Sequence, residues 1–188
     1  MNLKNILTLV FMLGLVACTS QPKRPVDILK PEATKPVIVP AVSTQSHFEV
    51  KSKLDWVKRK ADIADCIINN EDFRVEVSEV KEFSHFDGNG QDVVKSFDLP
   101  DKAIVRTYYK KLTRAAAYRE PGSNEVYINT AKTRQSKKYI PTSLVHEWLH
   151  VLKYKHKGNR RHKYNNSKSV PYYVAETIAV KYLEDCSI

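Results

Sequence analysis

The sequence predicts an α+β domain with a small mixed or antiparallel sheet, and three observations carry that expectation. An apolar stripe at helical spacing (Leu54, Val57, Ala61, Ala64, Ile68) opens the domain. Short alternating segments follow, and two apolar helical patterns close it, one from Pro141 and one from about Tyr173. No repeat interrupts this order. The 188 residues suffice for one core and are too few to suggest two.

Residues 1–17 stand apart. Lys4 precedes an apolar run from Ile6 to Ala17, the layout of a secretory signal. That run is too short to span a bilayer, which takes about 20 apolar residues. It ends in Leu15-Val16-Ala17-Cys18, which resembles the lipobox of bacterial lipoproteins. The resemblance implies cleavage before Cys18, acylation of its thiol, and a lipid-anchored place in the bacterial cell envelope, at the outer membrane facing the periplasm or at the cell surface. From Thr19 to about Gln45, five prolines without helical periodicity predict an extended tether, so residues 18–46 link the lipid to a domain over 47–188. Once the signal is removed, Cys66 and Cys186 are an even pair in an oxidising compartment. A bridge is expected, with two buried free thiols as the alternative.

Thirty-one basic residues against 21 acidic give a net charge of +10, so acidic envelope polymers or anionic headgroups suit the chain as neighbours. No basic groove interleaved with stacking aromatics stands out, and nucleic acid is not an expected partner.

Within the domain, the first helix covers "KSKLDWVKRKADIADCIINN". In "DFRVEVSEV" the alternation of Phe73, Val75 and Val77 predicts a half-buried strand. Asp87 to Gly90 is a turn. "AIVRTYY" from Ala103 and "RAAAYRE" from Arg114 are further strands, and Pro121-Gly122-Ser123-Asn124 turns the second into "EVYINT", a hairpin over residues 114–130. Pro141 suits the first turn of the next helix, where its missing N–H has no intrahelical partner to lose.

That helix carries "SLVHEWLHVLKYKH". His146 and His150 are four apart, so their side chains stand about 40° apart and one turn along, within reach of one ion. Glu147 follows the first histidine and points beside the metal, toward a bound water. Imidazoles suit zinc in a tetrahedral site that keeps one position open for water. Zinc acidifies that water, and a neighbouring glutamate can take its proton as it attacks a carbonyl. The plain alternative is a helix whose histidines merely pack.

His156 lies six residues beyond His150. On an unbroken helix it would be rotated about 120° and shifted about 9 Å, so it ligates only if the helix stops first. Here the chain resembles the metzincin zinc peptidases, whose motif HExxHxxGxxH places a third histidine at this spacing. Lys153 stands at the glycine position, where a positive φ costs a non-glycine residue on the order of 1 kcal/mol. In place of the methionine turn of that clan stands "SVPYYV", Ser169 to Val174, and the only methionines are Met1 and Met12. The arrangement resembles a small group of bacterial secreted zincins that pair the extended histidine motif with an SVPY segment. That resemblance implies a segment passing under or beside the metal and an edge strand lining the substrate cleft.

Glu176 is the alternative third ligand, since gluzincins take a carboxylate from a downstream helix; its plain reading is a first-turn glutamate complementing the helix dipole. Tyr172 or Tyr173 would donate a hydrogen bond to an oxyanion, with core packing as the alternative. His47 and His85 have no ligand spacing, and His162 belongs to a basic loop. The expectation is therefore a membrane-anchored, zincin-like metallopeptidase. Its zinc would sit on His146, His150 and His156, and Glu147 would act as general base and acid. A peptide or protein substrate would add along Glu125 to Thr130. The competing expectation is a lipoprotein, zinc-stabilised or metal-free, that cleaves nothing and binds an acidic polymer or a protein partner.

Overall fold

The computed structural model describes residues 45–112, 115–132, 139–158, 161 and 163–187. The signal segment, Cys18, the tether up to residue 44 and His162 lie outside the described residues. The α+β expectation holds, with a mixed four-stranded sheet. Strands β1 (Phe48–Val50), β2 (Ala103–Tyr108), β3 (Ala117–Arg119) and β4 (Glu125–Asn129) lie in the order β1-β2-β4-β3. The first three in that order run parallel, and β3 pairs antiparallel with β4, Tyr118 facing Tyr127.

This order corrects one expectation. β4, the "EVYIN" strand, is interior and spends its main chain on β2 and β3, so it cannot receive a peptide. β3 lies outside β4 and forms the edge of the sheet on that side, with β1 at the other edge.

Helix α1 (Asp55–Asn69) buries Val57, Ala61, Ala64, Ile67 and Ile68. Leu54 is its N-cap and 41% exposed, outside the stripe assigned to it. A second correction concerns Phe73 to Val77, which form no strand and belong to α2 (Glu71–Ser78). The Asn70 side chain caps this helix by accepting from the Phe73 N–H at 2.9 Å, and Glu71 and Asp72 complement the dipole in its first turn. Phe73 and Val77, four apart, share the buried face. Helix α3 (Gly90–Ser96) starts at the expected turn, with Asn89 and Asp92 in a reciprocal capping box. A Cβ at Gly90 would stand 1.8 Å from the Val77 carbonyl oxygen, so only glycine lets α2 and α3 meet this closely.

Helix α4 (Ile140–Val151) has Pro141 in its first turn and buries Leu144, Val145, Trp148 and Leu149. Trp148 is the hub of the core. It packs on Phe97 at 5.3 Å and on His47 at 4.7 Å, and its Nε1–H donates to the Asp101 carbonyl at 3.2 Å. The last helical run begins with α5 (Val170–Tyr173), three residues before the expected Tyr173. It changes pitch to a π turn (Val174–Ile178) and then a 3-10 turn (Ala179–Tyr182). Helices α1 and α4 cover one face of the sheet, and the final run packs on α4. Among the described residues no helix is long and apolar enough to cross a membrane.

Cys66 and Cys186 form a disulfide with Cα atoms 5.8 Å apart, closing 120 residues of chain between α1 and the end of the last run. Replacing both by serine is expected to lower unfolding stability by about 3 to 5 kcal/mol, read from denaturant midpoints. The wild type under reductant should match that variant, and a midpoint indifferent to reductant would refute the bridge.

Candidate metal centre and cleft

How α4 ends determines the site. Leu152 is its C-cap, and Lys153 takes φ 72°, in the left-handed region, without being glycine. The Tyr154 N–H donates to the Leu149 carbonyl and the Lys153 N–H to the His150 carbonyl, both at 3.1 Å. These paired bonds are those of a Schellman turn. The chain reverses there, and His156 comes back beside the helix.

The result is a group of three imidazoles on His146, His150 and His156 whose ligand atoms lie within 4.8 Å of one another. His150 Nε2 and His156 Nε2 are 3.1 Å apart. Two tetrahedral ligands at 2.0–2.1 Å from one zinc ion would stand roughly 3.3 Å apart, so the spacing fits a shared ion. The same turn orients His150, whose Nδ1 lies 2.7 Å from the Tyr154 carbonyl. A carbonyl only accepts, so Nδ1 carries the hydrogen and Nε2 keeps its lone pair for a metal.

Beyond His156, the buried Asn166 side chain clamps the loop. Its Oδ1 accepts from the Lys157 N–H at 3.0 Å and its Nδ2 donates to the Lys157 carbonyl at 2.5 Å. Ser84 fastens the following segment, its N–H donating to the Lys168 carbonyl at 2.9 Å, while His85 Nε2 donates to the Tyr164 carbonyl at 2.9 Å. The SVPY segment so held puts the Tyr172 ring 4.7 Å from the rings of both His146 and His156. Tyr173 faces away, with its ring 6.2 Å from Phe83, which removes it as a candidate oxyanion donor.

The histidines open into a cleft of about 980 Å³. Its walls are the β3 segment with Ala117 and Arg119, the α4 face with Thr142, Ser143 and Glu147, and Tyr172 with Glu176. The Asn129 N–H donates to the Ala116 carbonyl at 2.8 Å, and the Glu120 N–H to the Glu125 carbonyl at 3.0 Å. By antiparallel alternation, Ala117 and Arg119 therefore aim their main-chain groups away from β4, at the open edge. Glu176 lines the cleft but lies outside the three-histidine group, its carboxylate 3.3 Å from Arg161 Nη1.

Burial pushes the Glu147 carboxyl up to about 7, against the backbone N–H and the charge of Arg119. Burial pushes His146 down to about 3, with His150 and His156 adding to the fall and the Pro171 backbone opposing it. His150 is pushed down to about 4 by burial, against its bond to Tyr154, and burial also lowers His156. All three imidazoles are thus held neutral, the form that binds metals.

Sequence reasoning overlooks Arg119, Thr142, Ser143 and His47. The first signals nothing, but Thr142 and Ser143 stand four and three residues before His146, on its own helical face. His47 is a core group, its Nδ1 2.9 Å from Asp65 Oδ1 and its Nε2 3.1 Å from the Phe97 carbonyl oxygen. No family model, no curated protein and no solved structure matches the chain.

The turn gives a direct expectation. Lys153→Gly removes the left-handed penalty, offset in part by glycine's added unfolded-state freedom, and should raise stability by about 0.5 to 1 kcal/mol with metal affinity retained. Lys153→Val should lower stability by more than about 1 kcal/mol and weaken metal binding, measured by urea unfolding and metal titration.

Proposed function

We propose that the protein is a zinc-dependent, zincin-like peptidase, held in the bacterial envelope through an acylated Cys18. The return of His156 to the His146 and His150 pair, with Glu147 in the same cleft beside an open strand edge, carries this reading. Bound zinc would supply Lewis acidity to a water and to the scissile carbonyl.

A peptide would lie along β3, where the outward main-chain groups of Ala117 and the carbonyl of Arg119, whose N–H is turned to Glu147, can add it as another strand. Its scissile carbonyl would then face the three histidines. Glu147, raised to about 7 by burial, is matched to neutral conditions as acceptor of the water proton and as donor to the leaving amine. Tyr172, whose ring packs against His146 and His156, would stabilise the oxyanion through its hydroxyl as charge develops. A purely structural metal site would have no use for a carboxylate beside the histidines, which speaks against the non-catalytic alternative.

Glu147→Gln should keep full zinc content and lose about 10²- to 10⁴-fold in cleavage of a mixed peptide library. Zinc-loaded wild type and variant with equal, negligible cleavage would sink the peptidase reading. For the ligand set, His156→Ala should lose more zinc affinity than the roughly 10- to 100-fold that removal of an outer-shell partner costs, while Glu176→Ala should stay close to wild type. The reverse ranking would move the third ligand to Glu176.

A further inference from the structure

The helices cover one face of the sheet, and the outward side chains of the other face gather into an aromatic and polar array. Tyr118 of the edge strand lies 5.2 Å edge-on from Tyr108 of β2 and 5.3 Å, nearly parallel, from Tyr127 of β4. Tyr118 is 41% exposed. Beside the rings, Arg106 Nε donates to Glu125 at 2.7 Å, and the Tyr127 hydroxyl donates to the other oxygen of that carboxylate. A guanidinium, a carboxylate and three aromatic rings are therefore held in fixed relation on a face against which none of the described helices packs.

We propose that this face is a binding platform for an acidic polysaccharide, with Tyr108, Tyr118 and Tyr127 receiving sugar rings and Arg106 and Glu125 their hydroxyl groups. Aromatic rings give apolar area with a polar tip, which suits the C–H faces of a sugar. The paired guanidinium and carboxylate offer planar donors and acceptors matched to adjacent hydroxyls. Charge favours an acidic polymer: Glu49 and Glu125 are each matched by a cation, Lys51 and Arg106, and although Glu120 also acts on Tyr127, Lys102, Lys110 and Lys111 flank β2 and outnumber it. Single-stranded nucleic acid also stacks on aromatics beside cations. The paired Arg106 and Glu125 suit a polymer dense in hydroxyl groups better than nucleic acid, whose bases and phosphates offer few hydroxyl donors to Glu125. The platform does not depend on the proposed peptidase activity, yet β3 belongs to both sites, so a peptide borne on the bound polymer would reach the cleft.

The test uses the full chain in detergent and measures binding to alginate, a polymer of acidic sugars, with poly-glutamate and an oligo-dT strand as comparisons. Wild type and Glu147→Gln should bind alginate equally, and at least tenfold more tightly than either comparison. Tyr127→Ala and Tyr108→Ala should weaken alginate binding at least fivefold and leave poly-glutamate binding unchanged. If those variants do not fold, Tyr127→Phe with Arg106→Gln should show the same selective loss. Equal binding of alginate and poly-glutamate, preference for oligo-dT, or alginate binding untouched by the tyrosine and arginine changes would each overturn the proposal.

Discussion

The reversal of the chain at Lys153 is the constraint on which the candidate site depends. On a continuing helix, His156 would project about 120° away from His150 and the metal-competent group would not exist. The two hydrogen bonds to Leu149 and His150 make the turn, and the Tyr154 carbonyl freed by it fixes the imidazole of His150. One local conformation thus delivers the third imidazole and orients the second. Gly158, also in the left-handed region, comes too late to do this, and the lysine bears a strain of about 1 to 2 kcal/mol that these bonds offset.

Packing explains why α4 can present chemistry on one side. Successive residues turn by about 100°, so Glu147 faces the cleft while Trp148 enters the core. Trp148 has no exposure and is wedged between Phe97 and His47, which fixes the rotation of the helix about its axis. Rotation of α4 is what aims His146 and Glu147. The histidine that sequence spacing leaves without a role therefore positions the site from behind.

Much of the fold and of the candidate site is legible in the amino-acid sequence. The stripe of α1, the β3–β4 hairpin, the proline start of α4 and the HExxH geometry rest on periodicity and turn chemistry, which are local. Expectation and structure part where local signals compete or where topology decides. In "DFRVEVSEV" two residues of a helical face, Phe73 and Val77, imitate strand alternation when Val75 falls between them, and the Asn70 cap is the cue that favours the helix. Nothing local says that β4 pairs with β2 on its far side, so the hairpin alone points to the wrong strand as the edge. The choice between Tyr172 and Tyr173 turns on which side of α5 meets the cleft, since neighbours on a helix stand about 100° apart, and that is set by packing distant in sequence, such as Phe83 against Tyr173. The tyrosine face is equally hidden, because its members come from three strands.

The Cys66–Cys186 bridge sets an order of events during biosynthesis. Chains emerge from the amino end, and Cys186 follows every residue of the candidate site, from His146 to Glu176. The covalent clasp therefore closes only after the whole site has been made, and a chain cut short before Cys186 carries the three histidines without it.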